Sequence, residues 1–186
     1  MKKVSICLMT LVLMVTSLLP LYKPQENVVF ADENQLNLPV KAYYLMDYNT
    51  EKPLISCNET ERLEVASMVK LMTALLTMEK IEKGEWTLDT KLLTSDYAAS
   101  MEGSQAFLDA GSEYTIDELL KSVIVASAND SCVVLAENMA GSEQNFVNMM
   151  NEKAEKLGMT NTLYANSTGL PATMQYSCAK DIAHIL

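Results

Sequence analysis

Histidine is almost missing from this chain: His184 is the only one in 186 residues. A Ser-His-Asp triad would have to use it, yet it lies in an apolar helical run near the chain's end, a setting for packing rather than catalysis. Cysteine is scarce as well. Cys7 falls in the N-terminal apolar stretch, and Cys57, Cys132 and Cys178 are far apart and odd in number, which is not a disulfide framework. No Cys or His pair has metal-ligand spacing, so neither a metal nor a cofactor is expected. Positive charge is short: 14 Lys and Arg stand against 24 Asp and Glu, for a net charge of −10. Nucleic acid and an anionic membrane face are therefore poor partners. There are no internal repeats and no low-complexity tracts.

Long apolar runs are also lacking. The longest uncharged, mostly apolar stretch is Val4 to Leu19, after Lys2 and Lys3. It is shorter than the roughly 18–20 residues that a spanning helix needs. Val29-Phe30-Ala31 places small side chains at the −3 and −1 positions of a cut before Asp32. Residues 1–31 thus read as an export signal, with an uncleaved N-terminal anchor as the alternative. Cys7 comes too early to be a lipobox cysteine. The remaining residues, 32–186, are enough for one domain with a real core, and without Lys2, Lys3 and Lys23 they are more acidic still.

What is present is mixed α and β. Pro39 to Ser56 reads as a hairpin: Ala42–Met46 outbound, Asp47–Lys52 as turn, Pro53–Ser56 returning. Val65 to Ile81 is a helix whose apolar residues go nearly all the way round, which predicts burial in the middle of the domain. Trp86 to Gly111 reads as irregular. Thr115-Ile116-Asp117-Glu118 is a capping box that opens a helix through Val125. Asp130 restarts a helix that stops near Gly141, and Ser142 caps another that ends at Gly158. Residues 159–175 form a loop, and Ser177 is expected to cap a last helix that runs to Leu186.

Two strings carry chemistry. In Ala66-Ser67-Met68-Val69-Lys70 the serine and lysine are spaced i, i+3 at a helix start, so both face one way. A lysine buried there loses its charge more readily and can take the serine's proton. Ser127-Ala128-Asn129 falls in a break between two helices, where a hydroxyl and a carboxamide can project into a cleft. Ser-x-x-Lys followed by Ser-x-Asn is a known hydrolase signature. Alone, Ser-x-x-Lys arises about once by chance in a chain of this size. A second copy, Ser177/Lys180, reads as a cap with a surface lysine. From the residues alone an alternative stays open at the first copy: Lys70 paired with an acid such as Glu64, and Ser67 a plain cap.

At these residues the chain resembles the D-alanyl-D-alanine carboxypeptidases, the low-molecular-weight penicillin-binding proteins of serine peptidase family S11. The resemblance runs from about residue 38 to the end. It takes in Tyr44-Leu45-Met46-Asp47, Ala66 to Thr73, Ser127-Ala128-Asn129-Asp130, Leu157-Gly158-Met159-Thr160-Asn161-Thr162, Gly169-Leu170-Pro171 and Tyr176-Ser177. It implies an α+β, β-lactamase/transpeptidase-like fold and an exported enzyme of the cell envelope. Ser67 would attack the peptide bond between the terminal D-alanines of a peptidoglycan stem peptide, and β-lactams would trap the same serine. Lys70 would be the general base, Ser127 would pass the proton to the leaving amine, and Asn129 would hold the substrate amide. The Ser67 backbone N–H would supply half of the oxyanion hole.

There are two departures. The family often has Asn-Pro-His-Gly-Leu-Pro where this chain has Asn166-Ser167-Thr168-Gly169-Leu170-Pro171, a loop read here as structural. The family's Lys-Thr-Gly, which anchors the substrate carboxylate on a C-terminal strand, does not occur in this sequence. The hairpin also lacks a convincing neighbour. The expectation is an incomplete catalytic domain, 32–186, with little turnover. Attachment to a membrane would need an uncleaved signal or a C-terminal part outside this sequence. Two rivals follow. A class A β-lactamase would deacylate with a loop glutamate, but Asn166 to Pro171 contains no acid. A non-catalytic envelope protein that binds peptidoglycan or a partner would be indifferent to loss of Ser67.

Overall fold

The computed structural model describes Leu36 and residues 38–185. The expected export signal, residues 1–31, lies outside the described residues. The first element is the predicted hairpin, β1 (Tyr43–Met46) against β2 (Pro53–Cys57). Tyr43 faces Cys57 and Leu45 faces Ile55, with an irregularity between Leu45 and Met46. Asp47 shapes the turn by accepting from the Thr50 N–H at 2.8 Å and from its hydroxyl at 2.7 Å. Among the described residues β1 and β2 pair only with each other.

A 3-10 turn, Ala66–Val69, leads into helix α1 (Lys70–Glu82). Trp86 to Gly111 is more ordered than the sequence predicts. It holds β3 (Lys91–Leu93) and a short helix α2 (Asp96–Ala99), which Ser95 caps through the Ala98 N–H at 2.9 Å. β3 pairs antiparallel with β4 (Glu113–Thr115), Leu92 facing Tyr114. Strands of three residues leave no periodicity to read, which is why the pair escapes a sequence reading.

The capping box forms as expected at α3 (Ile116–Ala126). The Glu118 N–H donates to Thr115 Oγ1 at 3.3 Å, and the Thr115 N–H donates to Glu118 Oε2 at 2.8 Å. Then come α4 (Asn129–Ala140), α5 (Glu143–Lys156), capped by Ser142, and α6 (Ala179–Ala183). The last cap is a correction. Cys178, not Ser177, takes the N-cap position, its Sγ accepting from the Asp181 N–H at 3.4 Å. Ser177 is used instead in a β-bridge to Leu63 and a hydroxyl contact with Thr162 at 2.7 Å. The helix also stops at Ala183 rather than running to the chain's end.

The core has two clusters. Val69, Met72, Phe146, Met150 and their neighbours form one; Leu92, Ile116, Leu119, Val123 and Cys132 anchor the other. α4 contributes to both, Ala136 to the first and Cys132–Leu135 to the second, and its residues 129–136 are all buried. Apolarity alone puts the Val65–Ile81 helix at the centre, but Met68 is 47% exposed and Met78 51%. The helix buried all round over two turns is α4, whose residues enter both core clusters.

Candidate active site

The 3-10 turn decides the geometry of the first motif. In a 3-10 helix residues i and i+3 eclipse, so Lys70 stacks directly on Ser67. Lys70 Nζ lies 3.2 Å from Ser67 Oγ and donates to the Thr168 carbonyl at 2.6 Å. Lys70 is 4% exposed while Ser67 faces solvent. Burial pulls the lysine below its ordinary value of 10.5. The ion-pair alternative falls: Lys70 pairs with no carboxylate among the described residues. The second Ser-x-x-Lys follows expectation in its surface lysine, Lys180, but not in its serine, which is turned to Thr162 instead of capping the helix.

The turn is strained and buttressed. Ala66 sits at φ 43°, a left-handed conformation that costs about 1–2 kcal/mol in a residue with a Cβ. Gly169 lies against it so closely that a Cβ there would fall 2.0 Å from the Ala66 carbonyl oxygen and 3.0 Å from the Ser67 nitrogen. Only glycine permits this approach. Asn166 Oδ1 shapes the loop, accepting from the Gly169 N–H at 2.7 Å and from the Thr168 N–H at 3.2 Å. The 166–171 loop, read from sequence as structural, therefore belongs to the site: one carbonyl orients the lysine and one glycine supports the serine.

Ser127 ends α3 in the left-handed region, φ 56° and ψ 37°. Strain of this kind on a non-glycine residue collects at functional sites. It brings Ser127 into a cavity of about 350 Å³ lined by Ser67, Met68, Lys70, Leu71, Val123, Ile124 and Ser127. Three of the four predicted residues thus share one cavity. Asn129 is not in that lining. It is 3% exposed, and its Nδ2 donates to the Glu102 carbonyl at 2.6 Å while its N–H donates to the Ser104 carbonyl at 2.7 Å. Asp130 completes this latch. Its buried carboxylate accepts from the Ala106 N–H at 3.0 Å and the Leu108 N–H at 3.1 Å. The sequence reading missed Asp130, Thr168 and Gly169. The acid directly after Ser127-Ala128-Asn129 and the glycine of Ser167-Thr168-Gly169 were the signals that could have found them.

A second cavity, of about 320 Å³, lies between the hairpin and α6. It is lined by groups such as Tyr44, Val65, Cys178 and Ile182 and by none of the four predicted residues. Among the described residues no group of three His, Cys, Asp or Glu side chains is placed to hold a metal, and no helix is long and apolar enough to cross a membrane.

A solvent-facing serine stacked on a buried lysine, with a second serine in the same cavity, is a constellation for acyl transfer without histidine. Comparison with known proteins gives the family. The model of the D-alanyl-D-alanine carboxypeptidase family, peptidase S11, matches residues 29–186, and the chain belongs to it. It is 46% identical over 150 residues to the D-alanyl-D-alanine carboxypeptidase DacF of Bacillus subtilis, covering 81% of this chain and 39% of that protein. It is 36% identical over 164 residues to DacC of Escherichia coli, covering 83% and 41%. The crystal structure of the carboxypeptidase DacD from Francisella tularensis superposes with a TM-score of 0.81 at 34% identity, over 84% of this chain and 38% of that one. Penicillin binding protein 5 from Haemophilus influenzae gives 0.75 at 32%, over 81% and 45%. The fold is accordingly the α+β, β-lactamase/transpeptidase-like one. The chain spans about two fifths of the length of these relatives.

Proposed function

We propose that residues 32–186 carry the acylating centre of an exported, extracytoplasmic serine-type D-alanyl-D-alanine carboxypeptidase that trims the terminal D-alanine from peptidoglycan stem peptides. The observation that carries this reading is the 3.2 Å contact between Ser67 Oγ and a lysine whose burial disfavours its charge. In its neutral form, which burial makes more accessible, Lys70 accepts the Ser67 proton as Oγ attacks the carbonyl carbon of the penultimate D-alanine. The oxyanion forms against the first helical turn, where backbone N–H groups, that of Ser67 among them, have no partner within the helix. The carbon–nitrogen bond then breaks. The departing amine takes its proton by way of Ser127, and an ester on Ser67 remains for water to hydrolyse.

Asn129, buried outside the lining of the Ser67 cavity, fixes the 102–104 rim; to hold the substrate amide, as the resemblance implies, it would have to use the amide oxygen that the Glu102 bond leaves over. A β-lactam would acylate Ser67 in the same way. Lys-Thr-Gly, which the resemblance implies as the carboxylate anchor, does not occur in these residues, and slow release is what we expect of them alone. The test is release of D-alanine from a peptide ending in two D-alanines, wild type beside Ser67→Ala. Slow release that the substitution abolishes supports the assignment. Release that survives Ser67→Ala overturns it.

A further inference from the structure

We propose that Glu143 is a positioning residue for the Ser67/Lys70 pair, acting through the Ser167–Thr168 backbone; this rests on the reading of that pair as the acylating centre. Glu143 is the first residue of α5. An acid there complements the helix dipole, and that alone would make it ordinary. Its carboxylate, however, turns to other elements. Oε1 accepts from the Ser167 N–H at 3.0 Å and from the Ser167 hydroxyl at 2.6 Å. Oε2 accepts from the Tyr97 hydroxyl at 2.9 Å. The helix is capped without it, by Ser142, which accepts from the Asn145 N–H at 3.2 Å.

The peptide that Glu143 grips leads directly to the lysine. Ser167 and Thr168 are buried, at 0% and 1% exposure. The Ser167 carbonyl accepts from Thr73 Oγ1 at 2.8 Å, and the next carbonyl, that of Thr168, accepts from Lys70 Nζ at 2.6 Å. Lys70 and Thr73 are one turn apart on α1. Two side chains of α1 thus hold the carbonyls of this segment, and Glu143 pins it through the Ser167 N–H and hydroxyl. Without that pin the segment keeps only the Thr73 bond and the Asn166 contacts, so the Thr168 carbonyl is held less firmly as the acceptor that aims the lysine at Ser67. Displacements of this size, away from the reacting atoms, can cost about a hundredfold in rate.

The experiment compares wild type, Glu143→Ala, Glu143→Gln, Glu143→Asp and Tyr97→Phe by two readouts. One is the Lys70 side-chain resonance in protein carrying 13C-labelled lysine, assigned by its loss in Lys70→Met. The other is the rate of penicillin adduct formation followed by intact mass over a range of penicillin concentrations. Glu143→Ala is expected to move the Lys70 resonance and to slow acylation at saturation by about tenfold or more, with half-saturation unchanged. Glu143→Gln, which keeps an oxygen for the Ser167 N–H, restores both, and Tyr97→Phe changes neither. Should Glu143→Ala fail to fold, Glu143→Asp, shorter by one methylene, must move the resonance. An unmoved resonance in folded Glu143→Ala or Glu143→Asp overturns the proposal, as does a Gln variant no better than Ala. A wild type that forms no adduct sinks the reading of Ser67, while the resonance still decides the role of Glu143.

Discussion

Lys70 is the residue on which the chemistry turns, and its burial has a cost that can be read against pH. Its native pKa lies below the ordinary 10.5 because desolvation disfavours the ammonium form. Below the native value both folded and unfolded chains hold the proton, and the penalty of burying the charge is fully present. Between the native value and 10.5 the unfolded chain binds more protons, so stability rises with pH, by at most about 1.4 kcal/mol per unit. Above 10.5 the penalty is gone. Denaturant melts of wild type and Lys70→Met should therefore converge or cross in favour of wild type as pH climbs towards 10.5. A constant difference across that window would mean that Lys70 is not held in a disfavoured state. Cys132, beside it, is pushed up to about 12 by burial, so its thiol stays neutral and does not compete as a nucleophile.

At the scale of elements, the contact between the 166–171 loop and the 3-10 turn is the joint that shapes the nucleophile. Gly169 and Gly158 provide an internal comparison, since both have positive φ, 84° and 73°. A Cβ on Gly158 meets nothing within 4 Å, whereas one on Gly169 collides with the Ala66 carbonyl. Gly158→Ala should cost about 1 kcal/mol of conformational strain. Gly169→Ala should cost about 3 kcal/mol or more, on the order of 10 °C in Tm, and should abolish acylation of Ser67 while the chain remains folded. Equal melting temperatures for the two variants would contradict this picture. The same joint shows what a sequence can and cannot disclose. The hairpin, the capping box at Thr115 and the break at Ser127 are legible because each is set by neighbours a few residues away. The Ala66–Gly169 contact joins segments about a hundred residues apart, and no local pattern encodes it. Cys178 wins the last cap from Ser177 because Leu63 and Thr162 engage the serine from distant parts of the chain.

For the molecule as a whole, α4 is the frame on which the site is hung. Buried along residues 129–136, it joins the two core clusters and places Asn129 and Asp130 at its start, where they latch the 102–108 loop. Read from sequence, the central place goes to the more apolar Val65–Ile81 helix. Apolarity could not rank the two, because burial follows from what packs on each face. Family membership fixes the fold, and the chain's span of about two fifths of its relatives makes the chemistry of these residues the question to test. The most direct test is the intact mass of the purified chain after incubation with a penicillin, beside Ser67→Ala, with circular dichroism to establish that both are folded. A Ser67/Lys70 acylating centre predicts a mass increase of one penicillin on the wild type and none on the variant. A folded wild type that gains no mass, or an adduct that survives Ser67→Ala, would contradict it.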